Sequence, residues 1–265
     1  HGQKWFQGLN RGYLAKKILE KISLSYRRER FFKRNIKGKN NLILDLACGA
    51  GRDYLKNFGA VIGMDLSRKA LDIAKNKYDL VIQSGAGQLP FADNTFDYIV
   101  SSDFFGHVDD RSKDKIIQEI KRVLKPGGMT LHIIETDGDN WLFKIAHKDP
   151  GLFKKYFIEQ IGGHIGLEMP ESCVKRWQEN GFDMVRKEKI WGTIWPIGYY
   201  KDLFGNEYAQ KSRAINFIVK LSGLLGKIKA IEVLTNIVLN PINSVVEFFT
   251  SLDHGVGLML VCKKK

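Results

Sequence analysis

Two carboxylates separated by 20 positions, Asp45 and Asp65, bracket a glycine turn at Gly49 and Gly51 in the stretch NLILDLACGAGRDYLKNFGAVIGMDLS. Glycines at that spacing let the backbone bend tightly and let a ligand approach it closely. An acid ending the second apolar run of such a unit is placed to bond the hydroxyls of a ribose. The acid before the turn changes which nucleotide fits. A dinucleotide site sets a helix N-terminus against a pyrophosphate, and Asp45 would repel one. The same charge suits a ligand with an ammonium or sulfonium group. Two histidines, His107 and His164, are the candidates for proton removal or substrate orientation, since a neutral imidazole suits that work near pH 7. Each could equally serve as a structural hydrogen-bonding group.

The elements that must hold these residues follow the pattern of a parallel α/β sheet. Leu42 to Leu46 reads as a buried strand, Arg52 to Phe58 as a short helix with Gly59 as its C-cap, and Val61 to Met64 as a second strand. Ser67 caps a helix running to Lys77. Strands follow at Leu80 to Ile82, Phe96 to Val100 and Met129 to Ile134. The amphipathic helix Asp110 to Leu124 comes before the last of these and is stopped by Lys125-Pro126-Gly127-Gly128.

Beyond residue 136, helices are expected at 141–147 and 152–161, and another opens at Pro170 and ends near Asn180-Gly181. Met184 to Ile190 and Gly255 to Cys262 complete the sheet, the last strand antiparallel. Residues 191–253 read as an insertion. It begins with Trp191, Trp195, Tyr199, Tyr200 and Phe204, continues with two helices broken at Gly223 or Gly226, and ends in a third from Pro241 to Leu252. It is expected to act either as an apolar, aromatic substrate lid or as an interface.

In its motifs the chain resembles the class I S-adenosylmethionine-dependent methyltransferases. DLACGAG is similar to that family's first motif, with Ala47 in place of the first glycine. Leu89-Pro90-Phe91 with Asp93 and Phe96-Asp97, RVLKPGG, and the GF at Gly181-Phe182 resemble the subgroup that includes the quinone-pathway C-methyltransferases.

The resemblance implies a doubly wound, Rossmann-like, seven-stranded sheet, with S-adenosyl-L-methionine as cofactor and S-adenosyl-L-homocysteine as product. Asp45, Ala47, Gly49 and Gly51 would line the methionine side, Asp65 and Leu66 the ribose and adenine, and Ser101 the sulfonium side. Gly85 stands where that subgroup has an adenine-contacting Asp, so a backbone group at Gly85 or Ala86, or else Ser84 or Gln88, would take over that contact. The family often has a histidine pair after the fourth strand, and here only His107 remains.

The expected organisation is a basic arm (1–40), a cofactor-binding domain (41–190 and 254–265) and the insertion (191–253). The net charge is +13, and residues 1–41 supply most of it, with 12 Lys/Arg against two acids. Gly12 to Ile36 could form an amphipathic helix laid on the domain, a helix attracted to anionic lipid, or a phosphate-binding patch for RNA.

The expected activity is methyl transfer to a small, partly hydrophobic or ring-bearing acceptor. An RNA methyltransferase and a catalytically silent binding module are the alternatives. Three scattered cysteines, Cys48, Cys173 and Cys262, suggest neither disulfides nor zinc. No run is apolar enough to span a bilayer, no secretory signal is visible, and a cytoplasmic location is expected.

Overall fold

The computed structural model describes residues 24–159, 163–190, 200–228 and 248–265, with single positions between 231 and 245. Its centre is a seven-stranded sheet with strand order β3-β2-β1-β4-β5-β7-β6. The strands are β1 (Asn41–Leu46), β2 (Gly59–Asp65), β3 (Leu80–Gln83), β4 (Phe96–Ser102), β5 (Leu124–Glu135), β6 (Phe182–Ile190) and β7 (Gly257–Lys264). The first five pair in parallel, and β7 runs antiparallel to both β5 and β6. The order reverses direction between β1 and β4, and open α/β sheets bind ligands beyond the carboxyl ends of their strands at such a point.

Alternate residues of β1 point to opposite faces, so both faces need cover. Leu44 and Leu46 join one apolar cluster with Ile116, Ile117 and Ile120 of helix α3 (Asp110–Val123) and Trp177 of α6 (Pro170–Glu179). Ile43 joins the other, with Phe31, Phe32 and Ile36 from helix α1 (Leu24–Asn35). The described part of the basic arm is thus a packed helix with an exposed basic side at Arg30, Lys33 and Arg34. Residues 1–23 lie outside the described residues.

Several expected boundaries shift for physical reasons. The turn after β1 leads into a 3-10 segment, Asp53–Phe58, and Gly59 is both its C-cap and the first residue of β2, with φ of 145°. A Cβ on Gly59 would lie 2.0 Å from the carbonyl oxygen of Asn41, so this glycine is set by the close approach of β1 and β2. The segment Lys125-Pro126-Gly127-Gly128 lies inside β5, whose pairing to β4 is irregular between Phe96 and Tyr98. The Ser67-capped helix α2 (Arg68–Ala74) ends one turn early.

The cap region holds α4 (Trp141–Ala146), α5 (Pro150–Phe153) and a π turn at Lys154–Glu159; residues 160 and 161 of the expected helix lie outside the described residues. In the insertion, α7 (Tyr200–Lys211) precedes α8 (Arg213–Leu225), which runs through Gly223 and is capped at Gly226. These helices share a third apolar cluster, including Leu142, Phe157, Phe204, Tyr208 and Val219. Trp191, Trp195 and Tyr199, and five of the twelve positions of the expected third helix, lie outside the described residues. The three cysteines are free and buried.

Candidate functional site

The turn after β1 is held by the carboxylate at the end of β2. Asp65 accepts a hydrogen bond from the Gly49 N–H and one from the Ser67 N–H, both 2.8 Å, fixing the turn against the entry of α2. Gly49 and Gly51 have φ of 55° and 79°, a region that favours glycine. Ala47 also lies there, with φ of 52°, although its Cβ makes that conformation costly. A Cβ on Gly49 would meet nothing within 4 Å, so space lies open above the turn.

Asp45 is fully buried below this turn. Nη1 of Arg52 donates to both its oxygens at 2.6 Å, and the Tyr78 hydroxyl donates a third bond. Tyr78 in turn accepts from the Arg52 N–H at 2.6 Å. Burial raises the pKa of Asp45, while Arg52 and Tyr78 pull the other way. Sequence reasoning passed over Arg52, Tyr78 and Gly63. A Cβ on Gly63 would come within 2.5 Å of the Tyr78 ring, so that glycine is the signal that an aromatic lies against β2.

On the adenine side, Leu66 is 72% exposed. Its Cδ2 would sit 3.7 Å from a Cβ built on Gly85. Gly85 and half-buried Ala86 therefore border an apolar edge without a carboxylate. Ser101 is placed otherwise than expected. Its side chain has no exposure, and its Oγ lies 2.7 Å from Nδ1 of His132 inside the sheet. His132 is buried, which depresses its pKa to about 3, so the pair is a neutral core contact, and only the Ser101 backbone borders the strand end.

A second group gathers at the carboxyl ends of β4 and β5. Asp103, just past β4, has φ of 58° and is gripped by both terminal nitrogens of Arg28 from α1. Glu135 ends β5, and its Oε1 lies 3.8 Å from Nε2 of His164. The rings of His107 and His164 stack with centroids 4.5 Å apart. The Gly163 carbonyl, 3.4 Å from His107 Nδ1, steadies the outer ring. Gly106 makes this packing feasible, because a Cβ there would press on Glu135 and His164 at 3.1 Å.

Charge follows the geometry. Burial and the nearby Glu135 push the Asp103 pKa up to about 6 against the pull of Arg28. Burial would also raise Glu135, but hydrogen bonding from His164 and Asp103 outweighs it and holds Glu135 low. Glu135 raises the His164 pKa against the effect of burial. His107, Glu135 and His164 each offer a ligand atom within 4.8 Å of the others, a donor set a divalent cation could use.

This strand order, with the glycine turn tied to an acid at the end of β2, is that of a doubly wound, Rossmann-like sheet. Residues 44–132 match a family described as "Methyltransferase domain". Over 108 residues, the chain is 36% identical to a ubiquinone/menaquinone biosynthesis C-methyltransferase of Haemophilus ducreyi, covering 35% of this chain and 40% of that protein. Over 159 residues it is 31% identical to a demethylmenaquinone methyltransferase of Staphylococcus saprophyticus, covering 56% and 65%. The chain spans about half the length of the curated relatives it matches.

Among solved structures, a SAM-dependent methyltransferase of Methanosarcina mazei shares the fold with a TM-score of 0.53 at 18% identity, over 88% of this chain and 96% of that one. The Haemonchus contortus phosphoethanolamine N-methyltransferase 2, solved with S-adenosyl-L-methionine, gives 0.54 at 21% identity, over 91% and 52%. Residues 44–132 therefore match a methyltransferase domain, and over part of its length the chain is similar to quinone-pathway C-methyltransferases. No described helix is long and apolar enough to cross a membrane.

Proposed function

We propose that the chain transfers a methyl group from S-adenosylmethionine to a small, partly hydrophobic, ring-bearing acceptor, with a quinol-like ring the class its relatives favour. One juxtaposition carries this reading. The Asp65-braced turn and the His107, His164, Glu135 and Asp103 group line the same carboxyl edge of the sheet, a cofactor seat beside a proton acceptor. The seat fits the cofactor: the space over Gly49 is open, Asp65 presents a carboxylate, and Leu66 with Gly85 leaves an apolar edge for a purine.

Ala47, Gly49 and Gly51 would line the methionine portion through their backbone, Asp45 with Arg52 would face its charged end, and Asp65 would take the ribose diol. When bound, the cofactor supplies an activated methyl carbon, an electrophile that needs a nucleophile held in line and water kept away. His164 would take the acceptor's proton at Nε2, and Glu135 would stabilise the imidazolium that forms. Arg28 orients Asp103 beside them. His107 covers the outer face of His164 and so limits water there.

Titration calorimetry with S-adenosylhomocysteine tests the seat: the wild type binds and Asp65→Ala loses at least roughly tenfold in affinity, the scale of a charged hydrogen-bonding partner. Absence of binding would sink the proposal. Mass spectrometry of quinol-containing lipid extracts incubated with deuterated-methyl cofactor tests the turnover. A labelled ring compound supports it, and no labelled product would leave a binding module in its place.

A further inference from the structure

Lys113 lies in the first half of α3 and is 1% exposed, although neither the cofactor seat nor the proposed proton acceptor uses it. An ammonium taken out of water is costly unless its donors are met. Ile116 and Ile117, three and four residues on and so on the same face of the helix, are core residues, and a methionine would fill this place without that cost. What the lysine supplies is reach. Its Nζ donates to the Gly166 carbonyl at 2.5 Å and to Oε1 of Glu168 at 2.9 Å. Both acceptors belong to the irregular segment 163–169 that carries His164.

That segment touches the ends of two strands. The Gly166 N–H donates to the Gly106 carbonyl at 3.0 Å, next to His107, and the Glu168 carbonyl accepts the Asp137 N–H at 3.0 Å, just past Glu135. A Cβ on Gly166 would lie 1.7 Å from the Val108 carbonyl oxygen, so the backbone runs directly against the turn after β4. Glu168 is held from a second side as well. Nε of Arg176 in α6 reaches its Oε2 at 3.2 Å, and the same guanidinium pairs with Asp110 and Asp114 of α3. Residues 163–169 have no helix or strand of their own to hold them, so cross-links of this kind set where they lie.

We infer that Lys113 is a positioning residue for methyl transfer: by clamping Gly166 and Glu168 between the turns that present His107 and Glu135, it holds the His164 ring against Glu135. The inference rests on the role proposed above for His164. It adds that the alignment of the proton acceptor is set from inside the core, by a side chain buried in α3. A misplacement of about 1 Å at such a group costs about a hundredfold in rate.

Lys113→Met in the full chain removes the clamp and keeps the volume. Methyl transfer should lose at least roughly tenfold in kcat, with KM for S-adenosylmethionine unchanged. Two readouts separate positioning from stability alone. The titratable groups facing His164 are Glu135, Asp103 and His107, and Glu135 holds its pKa above 6.5. In NMR of histidine-labelled protein, with the His164 signal assigned by its loss in His164→Asn, the His164 midpoint should therefore fall towards 6.5 in Lys113→Met. In the His164→Asn background, Lys113→Met should cost no further rate, because its effect passes through that ring.

If Lys113→Met does not fold, Lys113→Met/Glu168→Met carries the same measurements, since it leaves neither member of the pair buried alone. A His164 midpoint left at the wild-type value, or rate losses that simply multiply when combined with His164→Asn, would reduce Lys113 to a stabilising ion pair and overturn the inference. A wild type that transfers no methyl group sinks the role of His164 and this inference with it. A wild type that does, with the titration unmoved in Lys113→Met, sinks this inference alone.

Discussion

Arg52 closes on Asp45 beneath the cofactor turn, one guanidinium nitrogen reaching both carboxylate oxygens at 2.6 Å. The acid has no exposure and Arg52 little, so neither charge has water to fall back on.

Removing one partner strands the other. Arg52→Met should cost about 3 kcal/mol, the low end for breaking a buried pair. Asp45→Asn/Arg52→Met should cost less than the sum of its single changes, because no lone buried charge remains. Urea denaturation of the three variants measures this, and strict additivity would show that the pair is not coupled.

Ala47 sits at φ of 52° without strand or helix to require it. Ala47→Gly relieves the Cβ contact of the left-handed region, at the expense of unfolded-chain entropy, and should stabilise the protein by about 0.5–1 kcal/mol. Ala47→Val should destabilise it. A thermal melt in which glycine lowers the midpoint would contradict the backbone reading.

An acid introduced at Gly85 has room, since a Cβ there touches only Leu66 at 3.7 Å. Gly85→Asp should tighten S-adenosylhomocysteine binding by roughly tenfold, the worth of one charged hydrogen bond to an adenine amino group. Calorimetry showing weaker binding would place the purine elsewhere.

Proton removal by His164 needs the neutral ring. Its folded pKa lies above the usual 6.5 because of Glu135, so the rate should climb with pH through that raised value and then level. Glu135→Gln withdraws the carboxylate and should shift the rising limb to lower pH while lowering the plateau. The same pairing contributes stability that is fully present below the unfolded value of 6.5 and is lost as pH rises through the folded one. A rate profile that Glu135→Gln leaves in place would remove His164 from the reaction.

Because proton removal by His164 needs its Nε2 free of a cation, dialysis against EDTA should leave methyl transfer unchanged. A loss restored by one divalent cation would recast His107, Glu135 and His164 as ligands.

What the sequence made legible was periodic or punctuated. Apolar runs of strand length, the amphipathic stripe Ile116, Ile117, Ile120, and the glycine turn led directly to the sheet and to Asp45 and Asp65. Contacts between distant segments left no such trace. Nothing local links Arg28 to Asp103 across 75 positions, or Tyr78 to Asp45 across 33. Ser101 was misjudged because its place at a strand end was legible while the side on which its hydroxyl points was not. One residue of shift along a strand exchanges core for solvent. Gly59 was legible as a cap after a helical pattern, but only the neighbouring strand reveals that it also lets two backbones meet.

The first helix has a consequence for how this chain can be trimmed. Its Arg28 reaches Asp103 past the end of β4 and its phenylalanines plug the underside of the sheet, so deleting the first 36 residues to strip away positive charge would also unseat Asp103 and open a hydrophobic seam. A cut placed before residue 24 removes Lys4, Arg11, Lys16, Lys17 and Lys21 and spares that plug, and only such a cut can tell attraction by charge apart from damage to the enzyme.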